Sequence, residues 1–417
     1  MDRVAVWSLR HLRVFEMVAR LESIRKAADA IHLTQPAVTQ AMAKLESQVN
    51  AVLFERRSNG TYLTPAGAIL GARVRRMFEQ IEDALVSVGV PGGSRQSVSS
   101  IAERITRSQI RAFAAIANGH VIDGAEQAGV SQSSLFHAAR ELERCLGIRV
   151  LHNSAAGLST TEEGTNLARK LLIAMREVEC GIEEIRADAD QLSGQLRIGA
   201  MPLAGSFLIA PVLNELTKCC PHAVVEVRTG DVGYLSGALL RGEVDFVVGL
   251  CGSVENDKIE QERLVALPYV LVTRRNHPLT KKAKIELADL EEYELIAPSR
   301  QAARRSAFDR LVASFAKAPV VNIQASAFST VRLLLSGSDR LALLTRFEFE
   351  QESASGALIA LPFGPIEPAH SLGVARRANL RPTPLHMRFL ELIRSHAKAI
   401  SQTEAVSETE GLAEQAA

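Results

Sequence analysis

The feature that most restricts the fold of this chain is an internal repeat. Sliding the sequence by 97 residues lays Ala28, Gln35, Ala41, Leu45, Glu46, Gly60, Thr64 and Gly67 on Ala125, Gln132, Ala138, Leu142, Glu143, Gly157, Thr161 and Gly164. These are eight identities in the 41 ungapped positions from 27 to 67, and a one-residue gap then aligns Leu12, Phe15 and Val18 with Ile110, Phe113 and Ile116. A period this long marks a duplicated domain, not a solenoid. Chance likeness between alanine-rich helices is the weaker reading, because two of the repeated residues are glycines and one is a threonine at turn-like positions.

Each copy reads as three helices and a hairpin. In the first, Leu12, Phe15, Val18 and Ala19 form a helical stripe, and Ser23 caps a short helix that runs to Ala30. His32 and Leu33 turn the chain, Thr34 caps the next helix, and Pro36 falls in its first turn, where a missing N–H costs nothing. Val38, Ala41, Met42 and Leu45 then face inward, which leaves Gln35, Ala37, Thr39, Gln40 and Lys44 outward. Phe54 to Leu63, with Arg56, Arg57 and Gly60, reads as a two-stranded wing.

A long helix follows each copy. Leu171, Met175, Val178, Ile182, Ile185, Ala189 and Leu192 alternate steps of four and three, the spacing of a coiled-coil seam. Dimerisation through this helix is preferred to packing on its own domain. Between the copies, Gly89, Pro91, Gly92, Gly93 and several serines have linker composition. From Leu196 onward, short β-rich runs alternate with helical ones, which implies a mostly parallel α/β sheet in two linked subdomains. The expected architecture is α/β with an all-α, winged-helix N-terminal part. It comprises a winged helix-turn-helix at 9–67, a linker helix at 68–88, a flexible linker at 89–106 and a second, degenerate winged helix-turn-helix at 107–166. A coiled-coil helix at 167–193, an effector domain at 195–397 and a disordered acidic tail at 401–417 complete it.

Charge separates the two copies, although the whole chain carries only +1. Residues 9–67 hold eight bases against five acids (+3), while residues 107–166 hold five against six (−1). Duplex DNA attracts the first and repels the second, since phosphate neutralisation supplies most nonspecific affinity. Gln35, Thr39, Gln40 and Lys44 suit major-groove reading: glutamine pairs with adenine N6 and N7, and Thr34 and Lys44 can hold phosphate. Arg56 and Arg57 suit backbone or minor-groove contact. In the second copy Asn153 and Ser154 replace these arginines and Glu141 replaces Lys44. Phe136 and His137 take the outward positions, so this copy reads as an assembly module; Gln132 and Arg140 keep a second DNA reader in play.

The runs Ser23 to Glu46, Leu53-Phe-Glu-Arg-Arg57 and Leu63-Thr-Pro-Ala-Gly67 resemble the winged helix-turn-helix of LysR-type transcriptional regulators. The resemblance implies that Ser23 to Met42 is the helix-turn-helix, with Gln35, Pro36, Thr39 and Gln40 near base edges. Gln40 stands where the family commonly has arginine, so the target sequence is not carried over, and a tandem copy departs from the usual single reader. Gly242-Glu-Val-Asp245, Asn276-His-Pro278 and Leu341-Ala-Leu-Leu344 resemble, in order, the family's effector domain, a type 2 periplasmic-binding-protein fold with a cleft. Ser338-Asp-Arg-Leu341 and Arg381-Pro-Thr-Pro384 look like the galactose-binding-protein-regulator subgroup, which implies a sugar or sugar acid.

Strand ends that meet helix N-termini place the expected effector site at Met201, Pro202, Leu203 and Ser206, at Leu250 and Cys251, at Ser299, Arg300 and Arg304, and at Ser326 and Phe328. Arg300 or Arg304 could clamp a carboxylate, and a solvated helix face is an equal reading of either. Cys251 is read as a small buried thiol in preference to an oxidant sensor. No Walker A, H-E-x-x-H or G-x-S-x-G motif is present, so neither catalysis nor a cofactor is expected. Five cysteines without C-x-x-C spacing argue against a disulfide framework or structural zinc. With neither a signal peptide nor a membrane span in view, the expected setting is cytoplasmic. The expected partners are promoter DNA, a small effector and a second copy in a homodimer or homotetramer. The rival reading is an enzyme or transport-type binding protein whose N-terminal repeats serve only oligomerisation.

Overall fold

The computed structural model describes residues 7–91, 95–154, 157–187, 192–201, 204–251, 256–300, 302, 304–325, 327–353, 356–364 and 366–416. The chain divides into two compact units, Met1–Asp190 and Gln191–Ala417.

Unit 1 runs α1 Leu9–Leu21, α2 Ile24–Ala30, α3 Gln35–Val49, β1 Phe54–Arg57, β2 Gly60–Leu63, α4 Pro65–Ser87 and α5 Arg95–Arg104. The second copy follows as α6 Arg107–Ala117, α7 Val121–Ala128, α8 Gln132–Leu146, β3 Leu151–Ser154, β4 Gly157–Thr160 and α9 Glu162–Arg186. Both hairpins are antiparallel.

The repeated residues hold the same joints in each copy. Glu46 Oε1 accepts the Leu53 and Phe54 N–H groups at 2.8 and 3.3 Å, and Glu143 Oε1 accepts those of Val150 and Leu151 at 2.9 and 2.8 Å. Thr64 and Thr161 cap α4 and α9 through the Gly67 and Gly164 N–H groups, each at 3.0 Å. These two glycines lie against the turn before the hairpin: a Cβ would fall 2.1 Å from Leu53 O in one and 2.3 Å from Val150 O in the other. The identities at these positions are therefore what keeps each wing seated on its helices.

One hydrophobic core runs through both copies, from Trp7 to Ile182. The heptad seam of α9 is real, but its partner is α4 of the same chain. Leu171, Met175, Val178 and Ile182 are buried in the core that also takes Leu70, Val74, Met77, Ile81 and Leu85. This corrects the expected free coiled coil over 167–193: the helix ends at Arg186, Ala189 lies outside the described residues, and Leu192 packs on the core of unit 2. The expected flexible linker likewise contains α5, whose Val98, Ile101 and Ala102 are buried, with Ile105 just beyond it. Phe136, read as exposed, is half-buried against the core.

Arg73 of α4 is 1% exposed. Its guanidinium donates to Glu177 (Nη1 to Oε2, 2.7 Å) and Glu184 (Nε to Oε1, 3.0 Å). Arg76 Nε reaches Glu177 Oε1 at 2.7 Å. Burial pulls the pKa of Arg73 down, yet the hydrogen bonds to Glu184 and Glu177 outweigh it and leave the group above its usual value.

Unit 2 contains β5 Ser193–Ala200, β6 His222–Thr229, β7 Phe246–Cys251, β8 Ile259–Arg274, β9 Leu295–Ala297, β10 Ile323–Gln324, β11 Leu341–Thr345, β12 Leu358–Ala360 and β13 Ile366–Arg377. Their order is β10-β9-β11-β8-β13-β7-β5-β6, with β12 on β8. Pairings β5·β6, β5·β7, β9·β10 and β9·β11 are parallel, while β8 and β13 make only antiparallel ones. The sheet is thus mixed, where a mostly parallel one was expected. Its long strands carry the chain between two half-sheets, out along β8 and back along β13. The first half is packed by Leu196, Ile198, Phe246 and Phe389, the second by Leu271, Leu295, Phe308 and Leu343. The segment 401–416, expected to be disordered, continues the helix Pro384–Ala416, in keeping with the helix propensity of its Ala, Glu and Gln residues.

The substitution Gly164→Ala is expected to destabilise unit 1 by about 1–3 kcal/mol, the cost of forcing a methyl onto packed backbone. Urea unfolding followed by circular dichroism measures it, and an unchanged midpoint would remove this joint from the account.

Candidate nucleic-acid interface and effector cleft

Thr34 Oγ1 accepts the Ala37 N–H at 3.4 Å and Ser23 Oγ that of Lys26 at 3.3 Å, so both hydroxyls begin helices as the sequence implies. Val38, Met42, Leu45 and Val49 bury one face of α3. Its other face leaves Gln35, Pro36, Thr39, Gln40 and Lys44 exposed, with Thr34 at the entry. These are polar groups of a length that can reach base edges or phosphate from a helix lying in the major groove.

The wing is clipped to the α1–α2 turn. The Thr61 N–H donates to Glu22 O at 2.9 Å, and a Cβ on Gly60 would come within 2.9 Å of the same oxygen. Beside this clip lies an open groove of about 450 Å³ lined by Ser23, Lys26, Arg56, Arg57 and Asn59. Ser23, Arg56 and Arg57 are therefore brought together as expected. Lys26 and Asn59 join them; the sequence signal for Lys26 was its place one helical turn after Ser23. Arg56 is exposed, while Arg57 stacks on the Tyr62 ring (5.4 Å to the centroid) and pairs with Glu55. On α1, His11 has a lowered pKa, through burial first and then the nearby Lys44 and Arg10 charges.

The corresponding face of α8 exposes Gln132, Ser133, His137 and Arg140. Two of these side chains are already engaged by neighbours: Arg140 Nη2 donates to Asn153 Oδ1 at 3.1 Å, and His137 lies 3.5 Å from Glu141.

In unit 2, Met201 and Cys251 come together. With Val232, Ser236, Leu239, Val247, Gly249 and Gln261 they border a cavity of about 20 Å³, the size of a single water. Gly249 permits this approach, since a Cβ there would meet Met201 at 2.5 Å. Burial pushes the Cys251 thiol up to about 11, and its Sγ lies 3.7 Å from Glu262 O; it behaves as a small buried group.

Pro202, Leu203 and Ser326 lie outside the described residues, as do the side chains of Ser206 and Leu250. Ser299 and Phe328 are half-buried on the second half-sheet, and Arg300 is exposed. Arg304 is corrected as a carboxylate clamp. It is 8% exposed and pairs at 3.3 Å with Glu348, whose Oε2 also accepts the Thr345 N–H at 3.0 Å.

The phrases behind the sugar-acid expectation shape turns. Asp339 pairs with Arg274, while Thr383 and His386 exchange hydrogen bonds at the start of the C-terminal helix, each at 3.3 Å. His277 of the Asn-His-Pro phrase is fully buried, accepting the Leu279 N–H on Nδ1 at 3.1 Å with Nε2 3.2 Å from Asp339 O.

Comparison with known proteins agrees with this geometry. The family model "Bacterial regulatory helix-turn-helix protein, lysR family" matches residues 9–68 and again 108–165, and "LysR substrate binding domain" matches 189–398. The HTH-type transcriptional regulator GalR of Pseudomonas putida is 26% identical over 392 residues, covering 93% of this chain and 96% of its own length. The Escherichia coli dual regulator OxyR is 23% identical, covering 66% of this chain and 88% of its own length. Among solved structures, a full-length OxyR variant from Pseudomonas aeruginosa superposes with a TM-score of 0.57 at 20% identity, covering 70% of this chain and 94% of that one. Among the described residues no helix is long and apolar enough to cross a membrane.

The substitution Arg304→Met leaves Glu348 buried without its cation and is expected to cost unit 2 about 3–5 kcal/mol. Thermal unfolding without any effector reads this, and an unchanged Tm would return Arg304 to the list of ligand contacts.

Proposed function

Because the chain belongs to the LysR family of DNA-binding transcriptional regulators, we propose that α3 of its first copy lies in the major groove. Gln35, Thr39 and Gln40 meet base edges there, and Thr34 and Lys44 meet phosphates. Lys26, Arg56 and Arg57 hold the flanking backbone. The observation that carries this reading is that the wing, clipped to the α1–α2 turn, brings Arg56 and Arg57 into one groove with Lys26, in the copy whose α3 leaves a polar face exposed. Rigid placement is what lets phosphate contacts set the register for base contacts.

Unit 2 is the effector-binding domain, and differential affinity of a small molecule for two states of its half-sheets would supply the regulatory energy. We place the contacts at the ends of β5, β7 and β9, with Met201, Ser299 and Arg300 bordering the ligand. Arg300 takes any anionic group, since Arg304 is spent on Glu348.

Replacing Arg56 and Arg57 together by alanine is expected to flatten the slope of log affinity against log salt by about two units. Gln35→Ala is expected to narrow the gap between promoter and random DNA by about 1–3 kcal/mol. Electrophoretic or fluorescence titration at several salt concentrations measures both, and wild-type behaviour in both would displace the reader from this face. Thermal-shift screening with sugars, sugar acids and other organic acids tests unit 2. A true ligand raises Tm with the logarithm of its concentration.

A further inference from the structure

The two long helices pair as a two-fold axis would pair them. They run antiparallel: Arg73 meets Glu184, Gln80 meets Glu177 at 3.2 Å, and Ser87 accepts from Lys170 Nζ at 2.5 Å. Shifted by the 97-residue repeat, Arg73 becomes Lys170 and Ser87 becomes Glu184, so the two outer contacts exchange places. Gln80 becomes Glu177, so the central contact maps onto itself. This is the signature of an isologous interface, in which residue i touches j and j touches i. The pseudo-dyad passes between Gln80 and Glu177.

The side chains on this interface are not symmetric. Around the dyad α4 carries Arg73 and Arg76, where α9 has Lys170 and Ile173; α9 carries Glu177 and Glu184, where α4 has Gln80 and Ser87. Two first copies would set Gln80 on Gln80 and Arg73 against Ser87, taking from Arg73 the two carboxylates that Glu177 and Glu184 supply. Two second copies would bring Lys170 to Glu184, yet force Glu177 onto Glu177 at the buried centre. The mixed pair sets Arg73 and Arg76 against Glu177 and Glu184, and juxtaposed buried like charges are a common way to exclude a wrong partner. The chain passes from Ser87 to Arg107 between the copies, which keeps the mixed partner at high effective concentration.

We propose that the second winged helix-turn-helix is the built-in partner of the first. The α4 face carrying Arg73 and Arg76 takes α9 of its own chain and rejects the same module of another. Each chain is then one two-headed reader unit with one basic head, and assembly between chains falls to other surfaces. The inference deepens the reader assignment but does not need it, because its test contains no DNA.

The test introduces Ser87→Cys with Lys170→Cys into the full chain and treats it with a short bismaleimide, mapping links by denaturing gel and peptide mass spectrometry. The expected product joins 87 to 170 at the mass of one chain. The same link at twice that mass, or none, overturns the proposal. Gln80→Cys alone sits on the pseudo-dyad and is expected to give no 80-to-80 link; such a link at double mass overturns it as well. Adding Arg76→Glu to the first pair sets it against Glu177 and is expected to lower the one-chain yield by about threefold or more. An unchanged yield after Arg76→Glu overturns the charge code.

Discussion

A guanidinium shut away between two helices has to be met by carboxylates, and Arg73 is met by two, both from the far end of the repeat. Stranding such a charge by removing one partner typically costs about 3–5 kcal/mol, whereas an apolar replacement of the whole cluster could be neutral. Its net contribution to stability is therefore small beside the cost of breaking it. The cluster holds α9 on α4, and the shared core from Trp7 to Ile182 closes around that contact.

The duplicated halves show how far a scaffold and its surface can part. Glu46 and Glu143 receive the same pair of backbone amides, and Gly67 and Gly164 make room for the same carbonyl. Outside these joints Lys44 corresponds to Glu141 in the repeat, and Arg56 and Arg57 to Asn153 and Ser154. A common fold thus carries a basic surface on one copy and a surface without those bases on the other, since function resides in the surface set on the fold.

In unit 2 the sites expected at strand ends are sorted by what their neighbours already demand. Arg304 is held by Glu348 and Cys251 is desolvated, while Arg300 stays exposed. Asp339 and Thr383, although part of phrases suggestive of a ligand class, are occupied with a turn and, together with His386, a helix start. A short motif can mark a lineage by its backbone role and carry no information about what the cleft holds.

The repeat, the caps at Ser23 and Thr34, the wing and the outward face of α3 were legible in the residues, because they depend on contacts close in sequence and on helical periodicity. So was the alternation of strands and helices after Leu196. What only the tertiary structure decided is which surface each stripe meets: the seam of α9 reads the same whether its partner is another chain or α4. The tail and the inter-copy segment read as loose because composition counts large apolar side chains, not helix propensity or the few that find a core, as Val98 and Ile101 do. The antiparallel β8 and β13 escaped notice for a similar reason, since strand pairing is set between residues about a hundred positions apart. Local pattern determines the elements; long-range burial of charge and apolar surface determines their partners.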